Sequence, residues 1–385
     1  MRDRRLLERA RHEAARAGWL WTAPNPRVGA LALSGGLVAG RGCHRRVGGA
    51  HAEEEALRDA GAWQAGEAAP RPGVVDELVV SLEPCSSPAG REGKRRPPCT
   101  EALLAAGVRR VVVGRLDPDP RHRGRGVEAL RAAGVEVVVL EEPPGPDPLL
   151  GAFEDALRHP ERPWVLLKWA QGFDGRAAAP GGFPRWISSP ESRREVHRLR
   201  ALGDAILAGP GTLLQDDPRL DARPEDFGDP PAARPPLRVL LDPRAEVPPE
   251  AAVRRRPGRR IWLRAEGAPA QKEDPEDAVW FLPPRPDGRL DLVPALARLR
   301  AEEGVRRLFV EGGPRLQGDL LERGLADALL RYEAPLLLGG PVHALPGSGD
   351  PGRVRHLVDP EAARLGPDRR EAWRLLEAPA PEEEA

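Results

Sequence analysis

The chain has 385 residues, 40% of them hydrophobic, so it is long enough for two domains that each bury a core. Its 59 basic residues equal its 59 acidic ones, which argues against a broad electrostatic surface for nucleic acid. No apolar run reaches the ~18–20 residues of a membrane span, residues 1–6 lack the apolar core of a signal peptide, and three cysteines are too few for a disulfide framework. We therefore expect a cytoplasmic protein with no membrane or nucleic-acid partner.

The first part of the chain alternates short helices with short apolar strands. Periodicity and glycine stops predict helices at residues 4–18, 52–60, 100–106 and 127–133. The same criteria predict strands at 28–33, 36–40, 77–82, 108–114 and 135–140, the first two joined at Gly35-Gly36. This alternation is typical of an α/β domain with a largely parallel sheet.

A proline-rich segment follows at residues 141–148 and cannot continue a helix or a strand. We place the domain boundary there, with one domain at 1–146, a second at 147–378 and a disordered tail at 379–385. Further strands are predicted at 164–170, 205–208, 237–241, 307–311 and 328–332, and helices at 190–201 and 316–323. Two stretches rich in proline and charge, 224–236 and 267–289, are expected to be surface loops.

Four residues combine the types and positions of a metal site. His51 and Glu53 open a predicted helix, Cys85 follows a buried strand, and Cys99 precedes another helix. One histidine and two cysteines can hold zinc with a fourth position open to water, and a carboxylate can carry the proton. The H-x-E … P-C … C order is a signature of nucleobase deaminases. We predict one Zn²⁺ per chain, with Glu53 as the proton shuttle, and expect Cys43, which lacks this context, to be a packed small residue.

These segments resemble the bifunctional deaminase–reductase family of bacterial riboflavin biosynthesis over about residues 3–375. The resemblance implies an N-terminal cytidine-deaminase-like α/β/α domain and a C-terminal dihydrofolate-reductase-like α/β domain. Residues 24–29, PNPRVG, match the segment that shapes the family's pyrimidine pocket, which makes Asn25 a substrate contact, and His44 matches a second pocket residue. Residues 117–120 and 124–126 fall where the family has DPNP and GxG.

The loop between the two cysteines departs from the family pattern. Residues 86–98 are a longer stretch than usual, and Ser86-Ser87-Pro88 stands where the family has a histidine pair. A longer surface loop costs little free energy, so zinc binding is not in question, whereas substrate contacts from this loop are. Lys94, Arg95 or Arg96 could supply the cation that the family uses there, or all three could be solvated.

The second part of the chain carries a different set of motifs. Residues 311–314, EGGP, lie between a predicted strand and a predicted helix, where a glycine-rich turn lets backbone N–H groups approach a phosphate. The turn is not G-x-G-x-x-G, so a Rossmann domain is not expected.

The same resemblance implies NADPH as the hydride donor, delivering hydride to C1′ of the ring-opened ribose to give a ribityl chain. It assigns cofactor contacts to Ala170, Trp186, Thr212, Asp216, Gly313, Pro314, Arg315, Leu316, Gln317 and Gly318. It assigns contacts to the ribose and phosphate of the substrate to Arg200, Leu220, Arg223 and Glu311. Asp217 and Glu311 are the charged candidates for a proton donor.

Two positions depart from the family in this second part. Pro184 stands where a substrate-binding serine is common, and Pro243 replaces a serine near the cofactor. Arg244 is the cation in that turn, after the strand at 237–241. Since a cation or hydrogen-bond donors must read the 2′-phosphate of NADPH, Arg244 is a candidate for that contact.

Small phosphoribosyl pyrimidines are the expected partners, in a homo-oligomeric protein. Two alternatives remain. A nucleic-acid base deaminase would need a basic face and aromatic stacking groups, but the net charge is zero and aromatic residues are 4%. A reductase with an inactive deaminase-like domain is supported by the altered loop and opposed by the intact His51, Glu53, Cys85 and Cys99.

Overall fold

The computed structural model describes residues 1–64, 66–87, 97–140, 147–178, 186–229, 234–345 and 356–376. The chain divides into two compact units, Met1–Arg158 and His159–Ala385. This division falls later than the boundary expected after residue 146. Residues after that boundary contact the first unit, since Arg11 pairs with Asp147 at 2.9 Å and the backbone N–H of Arg27 donates to Leu149 O at 2.8 Å. The expected linker at 141–146 and the expected tail at 379–385 lie outside the described residues.

Among the described residues, the first unit contains five strands and six helices. The strands are β1 (Gly29–Ser34), β2 (Leu37–Cys43), β3 (Glu77–Val80), β4 (Arg110–Val113) and β5 (Glu136–Val139). The helices are α1 (Arg2–Ala15), α2 (Trp19–Thr22), α3 (Ala52–Asp59), α4 (Cys99–Ala105), α5 (Arg125–Ala132) and α6 (Gly151–Arg158). The sheet order is β2-β1-β3-β4-β5. β1 is antiparallel to both neighbours while β3, β4 and β5 are parallel, so this sheet is mixed and the largely parallel sheet expected here is wrong.

Alternate residues of the strands face opposite sides of this sheet. Ala30 and Ala32 of β1 join an apolar cluster with α3, α4 and α5, while Leu31 and Leu33 join another with α1. Helices therefore cover both faces, which confirms the α/β/α arrangement. α3 approaches β2 closely because Gly42 has no side chain: a Cβ there would lie 2.2 Å from Ala52 O.

In the described part of the second unit, nine strands form one sheet. They are β6 (Trp164–Gly172), β7 (Ala205–Ala208), β8 (Leu237–Leu241), β9 (Arg260–Ala265), β10 (Ala278–Leu282), β11 (Arg307–Val310), β12 (Ala328–Ala334), β13 (His356–Leu365) and β14 (Asp368–Leu376). The helices are α7 (Pro190–Leu202), α8 (Pro210–Gln215), α9 (Val293–Ala301) and α10 (Pro314–Glu322), with a 3₁₀ helix at Pro224–Phe227.

The strand order of this sheet is β10-β9-β8-β7-β11-β6-β12-β14-β13. The seven strands from β10 to β12 are parallel, and β14 and β13 complete the sheet as an antiparallel hairpin. The predicted α/β class is therefore confirmed in both units. The carboxyl ends of β7, β11 and β6 are neighbours, which is where open α/β sheets place their binding sites.

One of the two expected surface loops contains a core strand. β10 lies inside the stretch 267–289, and its Trp280 and Leu282 are buried in the main apolar cluster of the unit. The expectation of a surface loop there is wrong for residues 278–282, because proline and charge on either side conceal a short strand. The other stretch, 224–236, begins with the 3₁₀ helix.

A search of the described residues for helices that combine the length and the apolar character needed to cross a bilayer finds none.

Candidate active sites

Three possible metal ligands from separate elements meet in the first unit. His51 is the residue that caps the N-terminus of α3, Cys85 follows β3, and Cys99 is the first residue of α4. His51 Nδ1 lies 3.1 Å from Cys99 Sγ and 3.7 Å from Cys85 Sγ. The ligand atoms of all three lie within 4.8 Å of one another, so the predicted set converges.

This cluster has the dimensions of a zinc site. With Zn–N and Zn–S bonds of about 2.0–2.3 Å, tetrahedral ligands stand roughly 3.5–3.8 Å apart. The 3.7 Å between His51 Nδ1 and Cys85 Sγ lies in this range, and the 3.1 Å between His51 Nδ1 and Cys99 Sγ is somewhat shorter. The pKa of the Cys99 thiol is raised, first by its hydrogen bond with Cys85 and second by burial. Two thiolates side by side need a cation between them, and the donor set therefore fits Zn²⁺.

Glu53 lies in the first turn of α3, and it is 3% exposed. Burial raises the pKa of its carboxyl above the usual range. A carboxyl whose pKa lies above its usual range is better suited to accept a proton and pass it on. Its position two residues after His51 puts this group beside the possible metal ligands.

Asn25 and His44 form a hydrogen-bonded pair next to this cluster. The Asn25 amide nitrogen donates to His44 Nε2 at 3.3 Å, and His44 Nδ1 donates to Ala50 O at 2.9 Å. The imidazole rings of His44 and His51 meet edge to face, with centroids 5.5 Å apart. The hydrogen bond to His44 holds the side-chain amide group of Asn25, so it also sets the direction of the Asn25 carbonyl oxygen.

The altered loop is only partly described. Lys94, Arg95 and Arg96 lie outside the described residues, whereas Ser86 and Ser87 lie within them. Ser87 Oγ is 3.2 Å from Nδ1 of His122, in the segment after β4. An imidazole from another segment thus neighbours the position where the family has its histidine pair.

The second unit has a cluster of charged side chains at the carboxyl ends of its central strands. Arg200 makes a two-pronged ion pair with Glu311, with Nη2 donating to Oε2 at 2.9 Å and Nε donating to Oε1. Lys168 Nζ, from β6, lies 3.7 Å from Glu311 Oε2. Burial by itself raises the pKa of Glu311, but Arg200 and Lys168 more than offset this and hold it at about 2.

Glu311 and Asp217, the two charged candidates for a proton donor, have different surroundings. Glu311 is ionised at neutral pH, so it is suited to holding Arg200 rather than to donating a proton. Asp217 is exposed, and its Oδ1 accepts from Ala252 N at 2.6 Å. Burial lowers the pKa of Lys168, which is the ammonium group beside Glu311.

Arg223 and Leu220 lie in a turn that contacts this cluster. Arg200 Nη1 donates to Asp221 O at 3.0 Å, and the backbone N–H of Arg223 donates to His197 Nδ1 at 3.2 Å. Leu220 is buried with a φ of 51°. The predicted substrate contacts Arg200, Leu220, Arg223 and Glu311 are therefore brought together.

The glycine-rich turn leads into α10, as expected. Gly313 is the capping residue at the N-terminus of α10, and an added Cβ there would meet no atom within 4 Å. The Leu316 side chain packs against both Gly312 and Gly209, the residue that follows β7. Gln317 is buried and its Nε2 donates to Lys168 O and Gly312 O. The turns after β7 and β11 thus meet at Leu316.

The remaining predicted cofactor contacts lie around this edge of the sheet. Pro314, Arg315 and Gly318 belong to α10, and Ala170 lies in β6 opposite Tyr332 of β12. Thr212 lies in α8 and Asp216 ends it. Trp186 is exposed, with the Arg193 guanidinium 5.1 Å from its ring centroid. Pro184 lies outside the described residues.

Sequence reasoning assigned no role to two residues of the second site, Lys168 and His197. Lys168 is a lone cation inside an apolar strand, a signal that could have marked it. His197 is buried on α7, and burial first, then Arg200 and Arg223, lowers its pKa to about 4. No pattern in the sequence links His197 to Arg223, since only the fold brings them together.

Comparisons with known proteins find a matching family model for each unit. Residues 1–115 match the family model for the zinc-binding region of cytidine and deoxycytidylate deaminases, and residues 163–368 match the RibD C-terminal domain. The riboflavin biosynthesis protein RibD of Escherichia coli is 36% identical over 96% of this chain and 98% of its own length. The RibD protein of Aquifex aeolicus is 36% identical over 83% of each chain.

Solved structures give the same result. RibD of Acinetobacter baumannii superposes with a TM-score of 0.67 and 28% identity, covering 97% of this chain and 99% of that one. A diaminohydroxyphosphoribosylaminopyrimidine deaminase/5-amino-6-(5-phosphoribosylamino)uracil reductase of Thermotoga maritima has a TM-score of 0.64 and 26% identity, with the same coverage. The chain therefore belongs to the RibD family and is a bifunctional deaminase and reductase of riboflavin biosynthesis.

Proposed function

We propose that the first unit deaminates the diaminopyrimidinone ribotide, 2,5-diamino-6-ribosylamino-4(3H)-pyrimidinone 5′-phosphate, and that the second then reduces the ribosyl group to ribityl with NADPH. The observation that carries this proposal is the convergence of His51, Cys85 and Cys99 beside a buried Glu53. The name of the Thermotoga maritima relative gives the same two reactions for that protein.

In the first unit, His51, Cys85 and Cys99 hold one Zn²⁺ and Glu53 carries the proton. A bound zinc ion supplies the Lewis acidity that makes water a nucleophile at neutral pH. Glu53 accepts a proton from the attacking water and delivers it to the departing ammonia. Asn25, oriented by His44 through their 3.3 Å hydrogen bond, holds the pyrimidine edge.

In the second unit, Arg200 and Arg223 hold the ribose and phosphate end of the substrate, with Leu220 lining that end. A guanidinium suits this task because its fork can bind two oxygens. The turns after β7 and β11 would hold NADPH at the contacts assigned above, and the N-terminus of α10 would favour a phosphate there. Lys168 and the ionised Glu311 border the reacting ribose.

The test uses the full chain and the ribotide. Without NADPH, mass spectrometry should find a product in which oxygen has replaced one amino group. With NADPH, the product should carry two further hydrogens. The main alternative, suggested by the altered loop 86–98, is an inactive deaminase-like domain. It predicts that the zinc-loaded protein reduces pre-deaminated substrate but does not deaminate the ribotide. That result would contradict the first half of the proposal.

We also propose that the protein is a cytoplasmic homo-oligomer. None of its three cysteines forms a disulfide, as is usual in a reducing compartment. Among the described strands β13 is the last of this sheet, and Leu357 and Leu376 are exposed where the β13–β14 hairpin begins and ends. An open strand edge invites pairing with a second copy. Light scattering should give an oligomer that Leu357→Glu weakens, and a wild-type monomer at micromolar concentration would contradict this.

A further inference from the structure

Glu83 lies two residues before Cys85, and its carboxylate is buried at 6% exposure. It accepts hydrogen bonds from four backbone N–H groups of one distant segment. Oε2 accepts from Asp117 N at 3.0 Å and Gly124 N at 2.8 Å, and Oε1 accepts from Gly126 N at 2.8 Å and Val127 N at 3.2 Å. Hydrogen bonds from backbone N–H groups to an ionised carboxylate are among the stronger ones in proteins.

The segment from 117 to 127 is shaped around this carboxylate. Gly124 has a φ of 81° as the residue that precedes α5, a conformation that glycine adopts without strain. At Gly126 a Cβ would lie 2.0 Å from Pro84 O and 3.2 Å from Glu83 Oε1. Both glycines of the G-x-G motif are therefore needed for the backbone to close on Glu83.

The same contacts fix the backbone at Cys85 from one side, while α4 fixes it from the other. Cys85 O accepts from Thr100 N at 3.2 Å, and Cys85 Sγ accepts from Cys99 N at 3.4 Å. The segment that Glu83 holds also carries His122, which lies against Ser87. One carboxylate thus ties the Cys85 turn to the segment that borders it.

We propose that Glu83 is a positioning residue of the deaminase site, which fixes both Cys85 and the 117–127 segment through its four backbone hydrogen bonds. The inference rests on the proposed function of the first unit. Both carboxylate oxygens of Glu83 are occupied by two donors each, so Glu83 serves geometry and takes no part in proton transfer.

Glu83→Gln tests this in the full chain. In this variant the side-chain NH₂ group faces two backbone N–H donors. Because donors cannot form hydrogen bonds with each other, the buried segment must shift. We expect zinc to pass to a competing chelator roughly 10–100 times faster, and kcat for deamination to fall by a similar factor, as for other residues that orient metal ligands. KM and kcat for reduction of pre-deaminated substrate should stay unchanged. Glu83→Asp, which keeps the charge on a shorter side chain, should give an intermediate result.

Glu77→Gln is the matched control. Glu77 is buried in β3 of the same unit and pairs with Arg2 and Arg110, so its loss should lower thermal stability without changing zinc release or deamination at 25 °C. Zinc release within twofold of wild type in both Glu83 variants would overturn the inference. Equal acceleration in Glu77→Gln would also overturn it, because the effect would then be general destabilisation. If the wild-type protein binds zinc but fails to deaminate, the proposed function fails while the zinc measurements still decide the role of Glu83.

Discussion

Cys99 and Cys43 are both buried thiols of the first unit, and they differ in their surroundings. Cys99 Sγ lies 3.1 Å from His51 Nδ1, whereas Cys43 ends β2 outside the metal cluster. We predict that the protein binds about one zinc per chain and that Cys99→Ser loses most of it, since a serine hydroxyl is a poor zinc ligand. Metal analysis checks this, with Cys43→Ser as the control that keeps its zinc. Full zinc in Cys99→Ser would remove Cys99 from the site.

Arg244 is the residue on which cofactor choice is predicted to depend. It follows β8, its side chain is 77% exposed, and its Nε lies 2.7 Å from Glu246 Oε1. If Arg244 reads the 2′-phosphate, Arg244→Ala should raise KM for NADPH about tenfold and leave KM for NADH unchanged. Glu246→Gln should lower KM for NADPH, because the ion pair no longer competes. Unchanged KM values in Arg244→Ala would place the phosphate contact elsewhere.

His197 makes the stability of the second unit depend on pH. Its pKa falls from 6.5 to about 4 on folding, chiefly through burial. Between these values the unfolded chain binds more protons than the folded one, so stability rises with pH across this window and is lost as pH falls from about 6.5 toward 4. We predict that His197→Gln reduces the gain in unfolding free energy between pH 5 and pH 7 by about 1–2 kcal/mol. Denaturant unfolding at both pH values measures it, and an unchanged difference would contradict the account.

Among the helices and strands, those with strong apolar runs could be predicted from the sequence, whereas those that bury paired charges could not. β7 and β8 occur at the predicted residues, 205–208 and 237–241. The hairpin β13–β14 was missed because β14 buries charged residues. Arg370 lies 3.3 Å from Glu195, and Arg374 pairs with Asp359. A sequence pattern places such residues in solvent, since only the tertiary fold supplies their partners.

The packing of β10, the strand that the sequence pattern did not predict, can be tested by substitution. Trp280 is 5% exposed and Phe281 is 52% exposed, and the Arg298 guanidinium lies 4.1 Å from the Trp280 ring centroid. Trp280→Ala should lower the unfolding free energy of the second unit by about 3–5 kcal/mol, as loss of a buried aromatic ring does. Phe281→Ala, the control in the same strand, should cost far less. Equal effects of the two changes would mean that β10 does not pack as described.

Across the whole molecule, the first site was more predictable than the second. The residues of the first site lie at or near the ends of helices and strands: His51, Glu53, Cys85 and Cys99. This combination of residue types is typical of a zinc site. The second site depends on sheet order, because Lys168, Arg200 and Glu311 come from separate elements that meet only when β6 and β11 are neighbours. Here the family resemblance named most of the residues, and the contacts of Lys168 and His197 came from the fold.

We propose that two active sites of this protein work independently and in succession, and Glu53→Gln separates their activities. The variant keeps the three possible zinc ligands and removes the carboxylate that carries the proton. With both substrates assayed by mass spectrometry, we predict zinc content equal to wild type, no deamination of the ribotide, and reduction of pre-deaminated substrate at near the wild-type rate. Normal deamination by Glu53→Gln, or equal loss of both reactions, would contradict the account.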